Sequence, residues 1–387
     1  MYQVKTLNKI AKIGLDVLDP AKYTINDETD TPDAIIVRSA KMHDYPLNKE
    51  LLCIARAGAG TNNIPLDSTA EKGIVVFNTP GANAEAVKEL AICGMLMSAR
   101  DIVGGLEWVQ TVKDDPEVAQ KVEKEKSKFT GPEILGKTLG VIGLGAIGCK
   151  LANAAIELGM QVYGYDPFLS VNAAWNLSSR VQHAASLDML YKQCDYISIH
   201  VPVNDQTKGF INKEAIAQMK DGVRIINLAR GELVNDTDIL AALESGKVAK
   251  YVTDFPNPVT AGAKGVIALP HLGASTPESE DNCAIMAAKE IREYLEYGNI
   301  VNSVNMPNTS MDWADNVRVC FFHLNIPAVV QGVLKVISDN GINVENMVNK
   351  SKGEYSYCLV DVNAPVGQEL IAQMQKVNGV IRVRVIG

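Results

Sequence analysis

The sequence predicts an α/β protein: a doubly wound, mostly parallel sheet, preceded by a smaller α/β unit and followed by an α+β tail. Three observations carry that prediction. Between residues 139 and 270 short apolar runs alternate with helical stretches, the rhythm of strands joined by right-handed crossovers. A glycine-rich turn, Gly143-Leu144-Gly145-Ala146-Ile147-Gly148, closes the first of those runs and opens a helix. Beyond residue 316 the rhythm becomes β-α-β-β-α-β, the order of a ferredoxin-like sandwich.

The elements follow in chain order. At 387 residues the chain is long enough for two or three domains. Residues 1–98 hold apolar runs at 33–37, 51–55 and 74–77, which read as buried parallel strands of a flavodoxin-like unit. At 83–98 the periodicity turns helical, with Ala84, Val87, Leu90, Ala91, Gly94 and Met95 on one face, a connector into the next domain. The second domain, 99–276, has its strands at 139–143, 161–165, 196–200, 224–228, 250–254 and 266–269. A long helical pattern at 277–297, stopped by Gly298, opens a stretch (277–305) that returns the chain to the first domain. Residues 306–315, with Pro307, Asn308, Ser310 and Asp312, read as a linker, and 316–387 as a separate small unit with strands near 318–322, 345–348, 356–361 and 381–385.

Composition excludes several classes. The net charge of -8 opposes a nucleic-acid footprint, which needs clustered cations, and the charge run at 121–128 mixes both signs as a solvated helix face does. No apolar run reaches the roughly 18 residues that span a bilayer, and the first residues lack the apolar stretch of a signal peptide; the expectation is a soluble cytoplasmic protein. The seven cysteines are scattered, odd in number and free of C-x-x-C pairs, so they are expected to be reduced core residues without a metal.

The glycine turn asks for a dinucleotide. Gly143 makes the tight bend, Gly145 admits a pyrophosphate against the backbone, and Gly148 allows close helix packing. Ala146 and Ile147 begin a helix whose N–H groups and dipole favour phosphate. Asp166, just before Pro167 at the end of the next strand, is placed to accept from the adenosine ribose, and its charge would repel a 2′-phosphate, so NAD is expected over NADP in a Rossmann-type domain.

The sequence has five histidines: His43, His183, His200, His271 and His323. His271 ends a strand and opens the loop Leu272-Gly273-Ala274-Ser275-Thr276, where an imidazole can exchange a proton near neutral pH. Arg230, in Asn227-Leu228-Ala229-Arg230-Gly231, ends a neighbouring strand, and its guanidinium can hold a carboxylate bidentately.

These residues resemble the D-2-hydroxyacid dehydrogenase family over about residues 30–305. The likeness rests on Arg56-Ala57-Gly58-Ala59-Gly60-Thr61-Asn62-Asn63-Ile64, Asn78-Thr79-Pro80-Gly81-Ala82-Asn83, the glycine turn, Ile226-Asn227-Leu228-Ala229-Arg230-Gly231-Glu232 and Pro270-His271-Leu272-Gly273-Ala274-Ser275-Thr276. The resemblance implies that Arg230 binds a substrate carboxylate, that His271 is the acid/base, and that Ala57, Gly58, Ala59 and Gly60 offer backbone N–H groups to substrate, with Asn83 beside it. It places His200, Val201, Pro202 and Thr207 along the cofactor, together with Thr79, Leu228, Ala229 and Gly273; Arg230 and His271 would border it, and Asp254 would lie near the nicotinamide carboxamide. The activity implied is NAD-dependent oxidation of D-3-phosphoglycerate to 3-phosphohydroxypyruvate, the first step of serine synthesis. Another D-2-hydroxy acid such as 2-hydroxyglutarate, or a non-catalytic NAD-sensing role, stands as the alternative. One departure is visible: the family places a Glu shortly after the strand-end Asp to pair with the histidine, whereas Asp254-Phe255-Pro256-Asn257-Pro258 has none. Either Asp254 takes the pairing role or Asn257 occupies the place without charge.

A phosphorylated substrate needs cations, and Arg56, then Arg38, are the candidates. The tail resembles an ACT domain, an amino-acid-binding regulatory module, in His323-Leu324-Asn325-Ile326-Pro327-Ala328-Val329-Val330 and Asn340-Gly341-Ile342-Asn343-Val344. That likeness implies L-serine as effector, contacted by His323, Asn325 and Asn343. A homodimer or homotetramer is expected, because the helix at 83–98 and its continuation carry more apolar surface than one domain would bury.

Overall fold

The computed structural model describes residues 1–314 and 316–387, and its chain divides into two compact units, Met1–Ala82 with Pro277–Gly387, and Asn83–Thr276. The second unit is built on a seven-stranded sheet. From one edge to the other the strands are Val266–Ala268, Val248–Thr253, Val223–Asn227, Tyr196–Ile199, Thr138–Ile142, Gln161–Tyr165 and Gln182–His183, all parallel. Parallel strands need both faces covered, and the alternation of side chains does this. Leu139, Val141 and Val162 join Leu151, Ala152 and Ala155 on one face, while Ile197, Ile199 and Ile225 join Leu190, Ile216 and Ile239 on the other.

The helix Ala84–Ala99 belongs to this unit, so the boundary falls at 82/83 and not at 98. Its Val87, Ala91 and Met95 share the core of Leu139 and Leu151, and Gly94 admits the side chain of Val252. Leu90 is only half-buried, and Cys93, on the opposite face, is exposed, unlike the other six cysteines. The following helices, Ile102–Val112 and Val118–Glu125, bury no residue at all.

The first unit carries a five-stranded parallel sheet in the order Tyr23–Ile25, Tyr2–Leu7, Ala34–Val37, Cys53–Arg56, Val75–Asn78. The helix Pro277–Tyr297 lies on one face, its Ala284, Ala288 and Ile291 clustered with Val4, Ile36 and Ala55. The first two strands were not anticipated. Gln3, Lys5 and Thr24 interrupt their apolar pattern, and they form because backbone pairing of Tyr2–Leu7 to the buried strand Ala34–Val37, and of Tyr23–Ile25 in turn to Tyr2–Leu7, supplies what the side chains do not.

The tail forms a four-stranded antiparallel sheet in the order Val344–Lys352, Tyr355–Val362, Val317–Leu324, Val380–Ile386, with the helices Val329–Asp339 and Gln368–Gln375 on one face. Its other face is not free. Cys320, Phe322, Tyr357 and Leu359 complete the cluster of Ile291 and Tyr294, so the tail shares a core with the first unit instead of standing apart. Arginines reinforce this junction. Arg384 lies over the Tyr294 ring at 4.3 Å and donates to the Tyr294 and Leu295 carbonyls, and Arg382 donates to the carbonyls of Lys49 and Leu51. Arg318, fully buried, grips Asp361 through two bonds of 2.7 and 3.1 Å and donates to the carbonyls of Tyr297, Met311 and Asp312.

The stretch read as a linker is folded. Met306 is fully buried, Ser303 caps its N–H, and Thr309 pairs with Ile300; Asp315, the last linker residue, lies outside the described residues.

Candidate active site

Parallel strands put their carboxyl ends at one edge of the sheet, so the residues after each strand form a row. Reading across the second unit, that row is His271, Asp254, Arg230, His200, Gly143 and Asp166. The strand order reverses between Thr138–Ile142 and Tyr196–Ile199, the switch point at which such sheets take a ligand.

At that point the glycine turn meets the chain after the neighbouring strand. Gly143 has φ of 91°, and a Cβ there would lie 2.6 Å from the His200 carbonyl oxygen. A Cβ on Gly148 would lie 1.9 Å from the Gly143 carbonyl oxygen, so only glycine lets the helix start this close to the strand. Gly145, in contrast, faces open space, and the helix Ala146–Glu157 that it precedes has no side-chain cap on its first turn. Open backbone, uncapped N–H groups and a helix dipole are what a pyrophosphate requires, and these residues fit one. Asp166 is held by the N–H groups of Leu144 at 2.8 Å and Phe168 at 2.9 Å, one to each oxygen; each oxygen keeps a lone pair for a ribose hydroxyl. Pro167 beside it is exposed.

The His200 ring shares a 2.9 Å hydrogen bond with Ser198, and burial pushes its pKa down to about 4, so it is neutral at pH 7 and a poor base. Val201 is half-buried, and Thr207 donates to the Pro202 carbonyl at 2.6 Å, tying the turn that follows.

Arg230, Asp254 and His271 are brought together at the other end of the row. Asn227, fully buried, accepts from the Ala229 N–H and donates to the Arg230 carbonyl at 2.8 Å, fixing the turn through Leu228 and Ala229. The exposed Arg230 guanidinium lies 5.6 Å from the Phe255 ring centre, and the exposed His271 ring lies 4.6 Å from the same ring. Phe255 is therefore a wall shared by the arginine and the histidine. Asp254 is 1% exposed; one oxygen accepts from the Gly273 N–H at 2.9 Å, and the other has no partner. Burial raises its pKa, against the opposing pull of the Gly273 N–H and of the charges on His271 and Arg230. Asn257 is elsewhere engaged: its amide donates to Asp236 at 2.8 Å and its oxygen accepts from Val259 and Thr260. It turns the chain and makes no bond to the histidine.

Sequence reasoning missed Phe255 and the positioning role of Asn227. Phe255 carried a signal, since it follows Asp254 directly. Asn227 lies in the segment Ile226 to Glu232, yet nothing in one sequence distinguishes its amide from a surface one.

In the first unit, the Arg56 guanidinium folds over Gly58, whose φ is 144° and where a Cβ would collide with it at 1.6 Å. Arg56 Nε donates to the Arg38 carbonyl, and Arg38 is paired with Glu280 at 2.6 Å. The Ala57 and Gly58 N–H groups donate to the carbonyls of Val37 and Arg56, so among the described residues only Ala59 and Gly60 of this loop keep backbone donors for a ligand. Thr79 is fully buried with an unpartnered hydroxyl, while Asn83 lies in the second unit, before the helix Ala84–Ala99. In the tail, His323 is buried, its ring bonded to Asn349 at 3.0 Å and to the Leu324 carbonyl, and Asn325 ties down the hairpin carbonyl of Gly353. Asn343 precedes the strand end that pairs with Val362, whereas His323 pairs with Ser356, so Asn343 sits at the opposite end of the sheet.

These features define a dinucleotide-binding α/β protein with a guanidinium and an imidazole at one sheet edge. Residues 92–273 match the family model of the D-isomer specific 2-hydroxyacid dehydrogenase, NAD binding domain. The chain is 39% identical to a hydroxypyruvate reductase of Thermotoga maritima, over 68% of this chain and 85% of that one. It is 33% identical to a D-3-phosphoglycerate dehydrogenase of Bacillus subtilis, over 81% of this chain and 60% of that one, so it spans about 60% of that relative's length. Among solved structures it is similar to an NAD+-bound 3-phosphoglycerate dehydrogenase of Entamoeba histolytica, with a TM-score of 0.60 and 26% identity over 79% of this chain and 98% of that one. The chain belongs to the D-2-hydroxyacid dehydrogenase family, and the cofactor of its second unit is NAD.

Proposed function

We propose that the protein oxidises D-3-phosphoglycerate to 3-phosphohydroxypyruvate with NAD, the first step of serine synthesis. The observation that carries this reading is the row at the sheet edge, with the dinucleotide turn and Asp166 at one end and Arg230, Asp254 and His271 at the other. Bound NAD supplies the hydride acceptor. Arg230 pairs with the substrate carboxylate and holds C2 facing that acceptor. His271 takes the hydroxyl proton as C2 loses hydride, and the buried Asp254 steadies the resulting imidazolium through its charge while its bond to Gly273 fixes the loop. Arg56, with the Ala59 and Gly60 N–H groups, is the anchor proposed for the phosphate; Arg38, already paired with Glu280, supports Arg56.

The test follows NADH absorbance with D-3-phosphoglycerate, 2-hydroxyglutarate, hydroxypyruvate and glyoxylate, with and without L-serine. Preference for D-3-phosphoglycerate supports the assignment; preference for hydroxypyruvate would move it toward the Thermotoga relative's named activity, and no turnover on any substrate would leave an NAD-sensing role. The serine arm addresses the tail. His323 and Asn325 lie at one end of its sheet and Asn343 at the other, so a site using all three draws on two copies of the module. A homodimer also suits the helices at 102–125, where Leu106 and Val109 are 64% and 40% exposed. The free thiols fit a reducing cytoplasm.

A further inference from the structure

Asn8 follows the strand Tyr2–Leu7 at the carboxyl edge of the five-stranded sheet, where Leu7 lies opposite Val37. Its φ of 79° puts it in the left-handed region, which asparagine tolerates better than most residues that carry a side chain. That turn brings its amide oxygen against the loop after the neighbouring strand. The oxygen accepts from the Ser39 and Ala40 N–H groups at 2.9 Å each and from the Arg38 N–H at 3.4 Å. These donors fix which way the amide faces, because its NH2 end could accept none of them.

Two of the donors belong to peptide units whose other ends face the segment that begins at Arg56. In a trans peptide the N–H and the C=O point in opposite directions across one rigid plane. The unit joining Arg38 to Ser39 gives its N–H to Asn8 and accepts at its carbonyl from Arg56 Nε, at 3.1 Å. The unit joining Val37 to Arg38 gives its N–H to Asn8 and accepts at its carbonyl from the Ala57 N–H, at 2.8 Å. One amide oxygen thus holds two successive planes from one side, while Arg56 and Ala57 meet them on the other. Each N–H that donates also polarises its own carbonyl, which strengthens the bond to Arg56. Asn63 holds the far end of this loop, donating to the Ala40 carbonyl at 2.8 Å, and leaves the Arg38–Ser39 plane to Asn8.

We propose that Asn8 is a positioning residue for phosphorylated substrates: it sets the peptide plane on which the Arg56 guanidinium is aligned. The inference rests on Arg56 as the phosphate anchor proposed above. Asn8 itself meets no substrate. It acts through the Arg38 carbonyl, and its loss lets that plane rotate and the guanidinium with it.

The experiment measures NADH-dependent reduction of 3-phosphohydroxypyruvate and of hydroxypyruvate, which differ only in the phosphate, by the full chain, Asn8→Gly, Arg56→Gln and the double variant. Glycine keeps the left-handed turn and removes the acceptor. Asn8→Gly is expected to raise KM for 3-phosphohydroxypyruvate about tenfold, with kcat and the KM for hydroxypyruvate within about twofold of wild type. The double variant is expected to match Arg56→Gln alone, since a residue that acts through another adds nothing once the other is gone. If Arg56→Gln raises the KM for 3-phosphohydroxypyruvate and Asn8→Gly does not, the inference is overturned and the anchor stands. It is overturned likewise if Asn8→Gly raises KM for both substrates alike, or if its effect adds fully to that of Arg56→Gln. If Arg56→Gln leaves the KM for 3-phosphohydroxypyruvate unchanged, the anchor is wrong and the inference falls with it. Asn8 is exposed, so its variant is expected to fold, with a melting temperature near that of wild type.

Discussion

At Asp254 burial and charge oppose each other: the apolar surroundings favour the protonated form, while Gly273, His271 and Arg230 favour the carboxylate. The residue therefore acts only as far as its neighbours keep it ionised. Asp254→Asn should lower kcat by on the order of tenfold and move the acid limb of the oxidation profile to lower pH, because the attraction for the imidazolium is lost. Unchanged turnover and profile would remove Asp254 from the mechanism. His271→Asn should cost about 10²–10⁴-fold in kcat with little change in NADH binding, measured by fluorescence titration. Much of this was legible in the sequence, since His271 and Arg230 stand at strand ends with loops behind them. Burial adds a physical separation from His200, which also ends a strand and which the sequence places along the cofactor. The sequence could not decide between Asp254 and Asn257 as the family Glu's replacement. The structure adds that the Asn257 amide donates to Asp236.

Among the elements, the glycine turn tolerates least. Gly148→Ala would place a methyl 1.9 Å from a backbone carbonyl that cannot move without displacing the strand. Loss of NADH binding together with a fall in melting temperature is expected, and an unaltered dissociation constant would contradict the close helix approach. The helix Pro277–Tyr297 carries a different strain in Glu290, which is 5% exposed and accepts from Asn302 at 2.8 Å with its second oxygen unpartnered. Burial pushes its pKa up to about 8 from an ordinary 4.5. The folded chain thus binds this proton more tightly than the unfolded one, so stability is highest below the unfolded value, falls as pH rises toward 8, and levels off above it. Glu290→Gln should raise the melting temperature at pH 8 more than at pH 6; an equal effect at both would mean the group is ionised throughout. The sequence showed this helix, its stop at Gly298 and the strands at 34–37, 53–56 and 75–78, whose apolar runs are unbroken. It hid Tyr2–Leu7 and the packing of Met306, where contacts from distant parts of the chain outweigh local pattern.

For the whole molecule, the tail is the part whose role in the architecture departs furthest from its local sequence. Its β-α-β-β-α-β order was readable from periodicity, but its union with the first unit depends on which sheet face is apolar and on three arginines that donate to backbone carbonyls outside the tail's own sheet. Arg318→Ala would leave Asp361 buried and unpaired, at a cost of about 3–5 kcal/mol in unfolding free energy by denaturant titration. A loss under 1 kcal/mol would mean that Asp361 finds water. The grip on the end of the helix Pro277–Tyr297 also bears on descent. The carbonyls of Tyr294, Leu295, Tyr297 and Gly298 each take a partner from the tail, and Tyr294 takes its cover from Arg384. A lineage that lost the tail could not simply shorten its gene. It would first have to recap that helix and recolour its exposed face with polar side chains, so the tail, once acquired, is held in place by the surface it covers.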